Sequence, residues 1–162
     1  MFVYYYVHVG KPFPDVERSV LALVAGFGEF ADAAYREAEE IRVRLGTNQR
    51  PLLAKTVRLD AGEPVRGATQ TSIPITWEAT GTPGLFPTME AEVVVAALGP
   101  AMTQVSLRGS YTPPLGAVGR ALDRTLLHRI SEASVKSFVD RIAAAIDHGA
   151  VERFERRAHA GG

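Results

Sequence analysis

The sequence predicts an α+β fold in which one strand and two short helices precede an antiparallel sheet, and a long helix closes the chain. Two observations predict this order. The chain starts with an aromatic and β-branched run; its apolar residues then take up helical spacing, alternate with polar ones from Leu52, and return to helical spacing after Pro114. Short turns rich in Gly and Pro separate the later alternating segments, which is typical of strands joined antiparallel.

The first element is a strand over residues 2–9, because its residues are aromatic or β-branched almost throughout. Two helices follow it. Asp15 is predicted to cap the first helix, whose apolar residues between Val16 and Phe27 recur at helical spacing. Gly46 is predicted to end the second. Tyr4, Tyr5, Tyr6, Tyr35 and Tyr111 are candidate polar groups at the core, since a buried tyrosine usually needs a partner for its hydroxyl.

Four alternating segments predict the antiparallel sheet. They are "LLAKTVRLD" (52–60), "QTSIPITWEAT" (70–80), "TMEAEVVVAAL" (88–98) and "TQVSLRGSY" (103–111). Pro74 lies inside the second segment and cannot donate a backbone hydrogen bond, so we expect an edge strand or a bulge there. The alternation directs Glu78, Glu90 and Glu92 to solvent and pairs Arg108 with an acid on a neighbouring strand.

The closing helix carries two apolar stripes. The first consists of Val118, Leu122, Leu126, Ile130 and Ala133, and the second of Val135, Phe138, Val139, Ile142 and Ile146. On a straight helix the two stripes lie roughly opposite each other, which predicts either different neighbours along one helix or a kink near Ser131. Residues 1–147 are predicted to form one domain, and residues 148–162 a charged C-terminal tail.

The composition argues against several classes of protein. With 162 residues, 46% of them hydrophobic, the chain can bury a sizeable core, and its 18 basic and 18 acidic residues show no excess suited to nucleic acid. It has no cysteine, and its four histidines are scattered, so no metal site is predicted. Phosphate-loop, serine-hydrolase and zinc-protease motifs are missing, so no cofactor is predicted either. We expect a cytoplasmic protein without an integral membrane segment.

This order of elements resembles the START-like superfamily, also called SRPBCC or polyketide cyclase/dehydrase-like, and in particular its small bacterial members. The resemblance is carried by "FVYYYVHV" with "GKPFPDVERSV", by "IPITWEATG", "MEAEVVVAAL" and "TQVSLRGSYTPPLG", and by "GRALDRTLLHRISEASVKSFVDRIA". It implies the helix-grip fold, in which a curved antiparallel sheet wraps around the long C-terminal helix. It also implies an apolar cavity between the two that binds a hydrophobic or amphipathic molecule such as a lipid or polyketide.

The apolar face of the predicted sheet and the first stripe of the closing helix supply candidate cavity-lining residues. These are Tyr5, Val57, Leu59, Ile75, Trp77, Met89, Val93, Leu107, Tyr111, Val118, Leu122 and Leu126. A filled core would use the same residues. Lys55 and Arg129 are candidate polar anchors, because each lies close to an apolar row. Leu85 and Phe86 lie in the loop "GTPGLFP", where they either fold back onto the core or form a lid.

Three functions fit these features. The first is binding of a hydrophobic small molecule. The second is a cyclase or dehydratase that uses the same cavity, which requires polar groups converging inside it. The third is an interaction module with a filled core. Because no catalytic constellation is recognisable, the sequence favours the first, in a monomer or in a homodimer paired through the aromatic first strand.

Overall fold

The computed structural model describes residues 1–44, 56–80, 88–112 and 124–148, which form one curved antiparallel sheet with helices packed on its inner face. The strands are β1 (Phe2–Val9), β2 (Thr56–Ala61), β3 (Val65–Arg66), β4 (Gln70–Thr80), β5 (Thr88–Gly99) and β6 (Met102–Thr112). The helices are α1 (Phe13–Leu23), α2 (Phe27–Arg44) and α3 (Arg124–Asp147), with a 3₁₀ turn at Val24–Gly26. The strand order is β1-β6-β5-β4-β2, and β3 also pairs with β4. The first strand of the chain therefore lies at one edge of the sheet, beside the last.

Alternation decides which strand residues reach the core, as the sequence predicts. On β4, Ile73, Ile75 and Trp77 are buried, whereas the residues between them are exposed. On the outer face, Arg108 Nε donates a hydrogen bond to Glu92 Oε1 at 2.6 Å, which confirms the predicted cross-strand pair. The sheet is thus apolar toward the helices and polar toward solvent.

Pro74 does not mark an edge strand, so that alternative is wrong. β4 is flanked by β5 on one side and by β2 and β3 on the other. The strand pairing on the latter side is interrupted opposite Pro74, where the Gly62 N–H donates to the Pro74 carbonyl at 2.8 Å. The N–H and C=O of one residue point to the same side of an antiparallel strand. The missing N–H of Pro74 therefore falls at the interruption between β2 and β3 and costs the sheet no hydrogen bond.

Helix α1 begins at Phe13, directly after Pro12, so the prediction that Asp15 caps this helix is wrong. The Asp15 carboxylate instead accepts a hydrogen bond from Arg18 Nη1 at 3.3 Å. The inward face of α1 is as predicted, since Val16 and Val20 are fully buried. Pro14 lies in the first turn of α1, where its fixed φ suits a helix and its missing N–H would have no intrahelical partner in any case.

An ion pair between the buried Glu17 carboxylate and the largely exposed Arg66 side chain connects α1 to the sheet. Glu17, only 8% exposed, accepts hydrogen bonds from Arg66 Nε and Nη2, each at 2.9 Å, and from Thr71 Oγ1 at 2.6 Å. The Arg66 guanidinium, followed by the Thr71 hydroxyl, lowers the pKa of the Glu17 carboxyl. Bidentate geometry of this kind is the strongest form of charged pairing available to a carboxylate.

Helix α3 presents its second predicted stripe to the core. Val135, Phe138, Val139, Ile142 and Ile146 are all buried. The Phe138 ring packs edge-on against Phe27 and Trp77, with both centroid distances at 5.4 Å. The chain has the helix-grip fold that the sequence predicts.

Some residues of the predicted elements lie outside the part of the chain that the structure describes. Residues 113–123, including Val118 and Leu122 of the first stripe, lie outside the described residues, as does the tail beyond His148. Leu126 and Ile130 belong to α3, but their side chains are not described. Of the helices in the described ranges, none is both long enough and apolar enough to cross a bilayer.

Candidate functional site

A small cavity lies between α3 and the sheet, where β4 and β6 end and β5 begins. Its walls are formed by Tyr35, Trp77, Met89, Tyr111, Ser131, Ser134 and Val135, and its volume is about 50 Å³. Sites for drug-sized ligands enclose about 300–1,000 Å³. The described walls therefore enclose room for a very small molecule or for one end of a larger one.

Strand register aligns the sheet side of this cavity. Leu59 of β2 pairs with Trp77, Trp77 with Met89, and Met89 with Tyr111, so the four residues form one row across β2, β4, β5 and β6. Because each lies on the inward-facing side of its strand, the side chains of Trp77, Met89 and Tyr111 meet beneath residues 131–135 of α3, whereas Leu59 does not line the cavity. Trp77, Met89 and Tyr111 were predicted as lining residues, and the structure brings these three together on the wall.

The next row across the sheet contains small residues, and it is closely packed. Gly109 lies opposite Ala91, and a Cβ atom built on Gly109 would overlap the Ala91 Cβ and come within 2.5 Å of the Glu90 carbonyl oxygen. Gly109 is therefore required for close approach of β5 and β6. The small side chains at this row do not widen the cavity.

The other predicted lining residues lie apart from this cavity. Val57, Ile75, Val93 and Leu107 are buried in the core without lining it, and Leu59 packs against that core half-buried. Tyr5 lies near the edge of the sheet, where its hydroxyl donates to Asp140 Oδ1 at 3.0 Å. Whether any of these residues contacts a ligand stays a prediction.

The predicted polar anchors and lid lie elsewhere. Lys55, Leu85 and Phe86 fall outside the described residues. Arg129 is exposed and lines a separate groove between α3 and β1. Among the residues that line the cavity there is no Lys, Arg, Asp or Glu. The described wall is therefore uncharged.

Hydroxyl groups supply the polar part of the wall. Ser134 is 6% exposed, and its Oγ atom is buried without a hydrogen-bond partner. The Tyr111 hydroxyl donates to Met1 Sδ at 2.9 Å. Burial raises the pKa of this phenol, with a hydrogen bond to Ser131 acting in the opposite direction. Tyr111 is thus a neutral hydroxyl at physiological pH, able to exchange hydrogen bonds but poorly suited to act as a base.

His128 does not line the cavity but packs against Tyr111 of its wall. Its ring stacks on Tyr111, with centroids 6.5 Å apart and planes at 22°, and its Nε2 atom lies 3.1 Å from Glu132 Oε1. Its Nδ1 atom is buried without a hydrogen-bond partner. Within the described ranges, no three side chains of the metal-binding types converge on one point. The arrangement is suited to holding and orienting an uncharged polar group beside aromatic surface.

Four of the seven wall residues are not among the predicted lining residues. Tyr35 was named only as a candidate polar group and Val135 only as part of the second stripe, and the sequence interpretation missed Ser131 and Ser134. Their signal is present in the sequence, because Ser131, Ser134, Val135 and Phe138 follow the i, i+3, i+4, i+7 spacing of one helix face. Two hydroxyls on a face that also carries core residues indicate polar groups directed inward.

The fold, rather than the sequence, connects this chain to known proteins. No protein-family model and no curated protein matches the sequence. The structure is similar to that of a conserved protein from Geobacillus kaustophilus, with 12% identity, a TM-score of 0.52, and coverage of 91% of this chain and 96% of that one. This likeness shows a shared fold.

Two weaker structural likenesses accompany it. One is to a hypothetical protein from Helicobacter pylori, with 12% identity, a TM-score of 0.40, and coverage of 83% of this chain and 86% of that one. The other is to the Zhui aromatase/cyclase from Streptomyces sp. R1128, with 13% identity, a TM-score of 0.43, and coverage of 100% and 98%. Neither adds to the functional interpretation.

Proposed function

We propose that this chain is a START-like protein of the SRPBCC superfamily and that it binds a hydrophobic or amphipathic small molecule between α3 and the sheet. The helix-grip fold supports the family, and the cavity beneath α3 supports the binding site. The walls are aromatic or apolar except for a few hydroxyls, which is the usual composition of small-molecule sites.

The observation that carries the proposal is the Ser134 hydroxyl. It is buried on the cavity wall without a hydrogen-bond partner. An unsatisfied buried hydroxyl costs about 1–3 kcal/mol. Serine in a helix often donates to the carbonyl four residues earlier, and Ser134 does not. A ligand whose polar atom enters the cavity would satisfy this group, and the cost would then be recovered on binding.

The uncharged wall also indicates the kind of ligand. A buried ionised group would need a paired charge, and the described lining residues supply none. We therefore favour a ligand with a neutral hydroxyl or carbonyl at one end and an apolar body. An anionic head group would depend on Lys55 or Arg129, neither of which is on the described wall. A cyclase or dehydratase step is not part of the proposal, because no acid–base pair lines the cavity within the described residues.

Trp77 makes the proposal testable, because it is the only tryptophan of the chain and it lines the cavity. Its fluorescence is titrated with 1-decanol, with decane and with decanoate at neutral pH, which share an alkyl body and differ at one end. We expect a saturable change with decanol and weaker responses to the other two. Native mass spectrometry of freshly purified protein, compared with solvent-extracted protein, detects any molecule already bound.

Variants at position 134 separate shape from hydrogen bonding. Ser134→Leu fills the cavity and is expected to abolish the decanol response. Ser134→Ala removes only the hydroxyl and is expected to weaken decanol binding by about 2- to 12-fold, the value of one hydrogen bond. Ala144→Leu, at an exposed position of the same helix, is the control and should bind normally. No saturable response to any probe, together with no mass lost on extraction, would refute the proposal.

A further inference from the structure

Among the described residues, β1 is an edge strand with one hydrogen-bonding edge that no other strand occupies. Each of its eight residues pairs with β6 on one side, from Phe2 opposite Ser110 to Val9 opposite Thr103. On the other side no strand of the described residues pairs with it. An edge of this length is a template for another strand.

The hydrogen bonds of Met1 show which backbone groups face that edge. Met1 and Tyr111 exchange both backbone hydrogen bonds, each at 2.8 Å. Since such pairs alternate along an antiparallel ladder, the odd-numbered residues of β1 bond to β6. Phe2, Tyr4, Tyr6 and His8 therefore direct their N–H and C=O groups to the free edge.

The side chains of the same four residues form an exposed aromatic row on the outer face. Phe2 is 64% exposed, Tyr4 49% and Tyr6 48%. The Tyr4 and Tyr6 rings lie 5.8 Å apart, and the Tyr6 and His8 rings 5.3 Å apart. Proteins commonly block free edges with Pro, Lys or a bulge, and β1 has none of these.

We propose that β1 pairs antiparallel with β1 of a second copy of this chain, about a twofold axis at Tyr5, to form a homodimer with one continuous sheet. The backbone N–H and C=O groups that face the free edge select this register. It places Phe2 opposite His8 and Tyr4 opposite Tyr6 of the second copy, so all four outward-facing residues of each chain form hydrogen-bonded pairs. A shift by two residues in either direction leaves one of them without a partner.

The side chains on both faces suit this register. On the outer face, the two aromatic rows join into one, with the cross-strand aromatic contacts that stabilise antiparallel pairs. On the inner face, a groove of about 320 Å³ runs between β1 and α3 and is lined by Tyr5, Arg129, Glu132 and Lys136 among others.

The charged groups of α3 beside Tyr5 are already paired with each other within one chain. Tyr5 donates to Asp140, and Lys136 Nζ lies 5.3 Å from the centre of the Tyr5 ring. Tyr5 is thus level with the part of α3 between these two charges. A twofold axis at Tyr5 runs the two copies of α3 antiparallel. Because Lys136 Nζ and Asp140 Oδ2 already pair within each chain at 2.5 Å, neither side chain brings an unpaired charge to the axis.

The oligomeric state is tested by sedimentation and light scattering over a wide concentration range. We expect a dimer that the double variant Tyr4→Lys/Tyr6→Lys converts to a monomer, because like charges would then face each other across the axis. Gln70→Lys/Thr76→Lys is the matched control. It adds the same charge at two exposed positions of β4, away from the edge, and should remain a dimer.

Single cysteines test the register, since the chain has no cysteine of its own. Directly opposed residues of a hydrogen-bonded pair have Cα atoms about 5.5 Å apart, within disulfide range, whereas diagonal neighbours are about 7–8 Å apart. Mild oxidation of a mixture of Tyr4→Cys and Tyr6→Cys chains should therefore give a cross-linked dimer. Neither variant should cross-link efficiently by itself.

Three results would overturn the inference. The wild-type protein is a monomer at every concentration, the lysine variant at β1 remains a dimer, or each cysteine variant cross-links alone as well as the mixture does. A monomer that binds phospholipid vesicles through Tyr4 and Tyr6 would reassign the aromatic row to a membrane surface.

Discussion

Removing the Ser134 hydroxyl should stabilise the unliganded protein. The group is buried without a partner on the cavity wall. Deleting it relieves an unsatisfied polar group, which costs about 1–3 kcal/mol. Alanine also has a helix propensity better than that of serine by about 0.5 kcal/mol. We therefore expect Ser134→Ala to raise the free energy of unfolding by at least about 1 kcal/mol, or the melting temperature by about 2–4 °C for a domain of this size.

Ser137 provides the matched control on the same helix. Its hydroxyl donates to Glu37 Oε2 at 2.5 Å, and Arg141 Nη2 donates to the same oxygen at 3.3 Å. Ser137→Ala gains the same helix propensity but loses a hydrogen bond to a carboxylate. At this partly exposed site that loss is on the order of 1 kcal/mol. The two variants should therefore differ in stability by about 2 kcal/mol, with Ser134→Ala the more stable.

Urea unfolding followed by circular dichroism gives this difference, with the slope of the free energy against urea checked for constancy. Equal destabilisation by both substitutions would refute the reasoning, because it would show that the Ser134 hydroxyl is satisfied in the free protein. Repeating the measurement with saturating decanol adds a second check. The advantage of Ser134→Ala should shrink when the ligand supplies a partner to the wild-type hydroxyl.

Two further predictions concern the scaffold. Because the pKa of Glu17 is lowered, its contribution to stability is complete above the unfolded-state pKa of about 4.5 and is lost as pH falls through the folded-state value. Glu17→Gln should therefore be less stable than wild type at pH 7, and this difference should shrink below pH about 4.5. A difference that stays constant across this pH range would count against the Glu17–Arg66 ion pair as its source. Gly109→Ala should destabilise by about 1–3 kcal/mol in urea unfolding. Adding Ala91→Gly should recover only part of that loss, since the Glu90 carbonyl oxygen remains within 2.5 Å of the new Cβ. If Gly109→Ala alone left the stability unchanged, that would contradict the close packing of β5 and β6.

Periodicity predicted most of the fold because burial on one face imposes it directly. Most inward-facing residues of β4, β5 and β6 and the second stripe of α3 have the burial that their spacing predicts. Val94 and Ser106 are exceptions, because they lie opposite each other on the outer face and are nevertheless buried. The errors arose where a local rule depends on a neighbour that the sequence does not show. A proline inside a strand indicates an edge only if any neighbouring strand would need its N–H. Here the neighbouring strand is interrupted between β2 and β3 opposite Pro74, so no N–H is needed there. Asp15 is a good cap by type, but the helix already begins at Phe13, with Pro12 in the N-cap position.

The cavity was harder to predict than the fold. Trp77, Met89 and Tyr111 were identified because they lie on apolar strand faces, yet so do Val93 and Leu107, which are only core. Strand register separates the two groups. The row that contains Trp77, Met89 and Tyr111 borders the cavity, whereas the row that contains Val93 and Leu107 is packed in the core. Ser131 and Ser134 escaped notice because serine is common on solvated helix faces. Their spacing relative to Val135 and Phe138 distinguishes them.

The two proposals can be tested separately because they use different side chains at different places on one sheet. The cavity is bounded by the inward side chains of β4, β5 and β6, whereas Tyr4 and Tyr6 project from the outer face of β1. Ser134→Leu should therefore abolish the decanol response and leave the dimer intact, and Tyr4→Lys/Tyr6→Lys should do the reverse. If one variant removed both properties, the connection to examine would be Met1, whose backbone extends β1 and whose Sδ atom accepts the Tyr111 hydroxyl. In that case pairing of β1 and occupation of the cavity would both depend on Tyr111, and the two properties could not be assigned to separate sites.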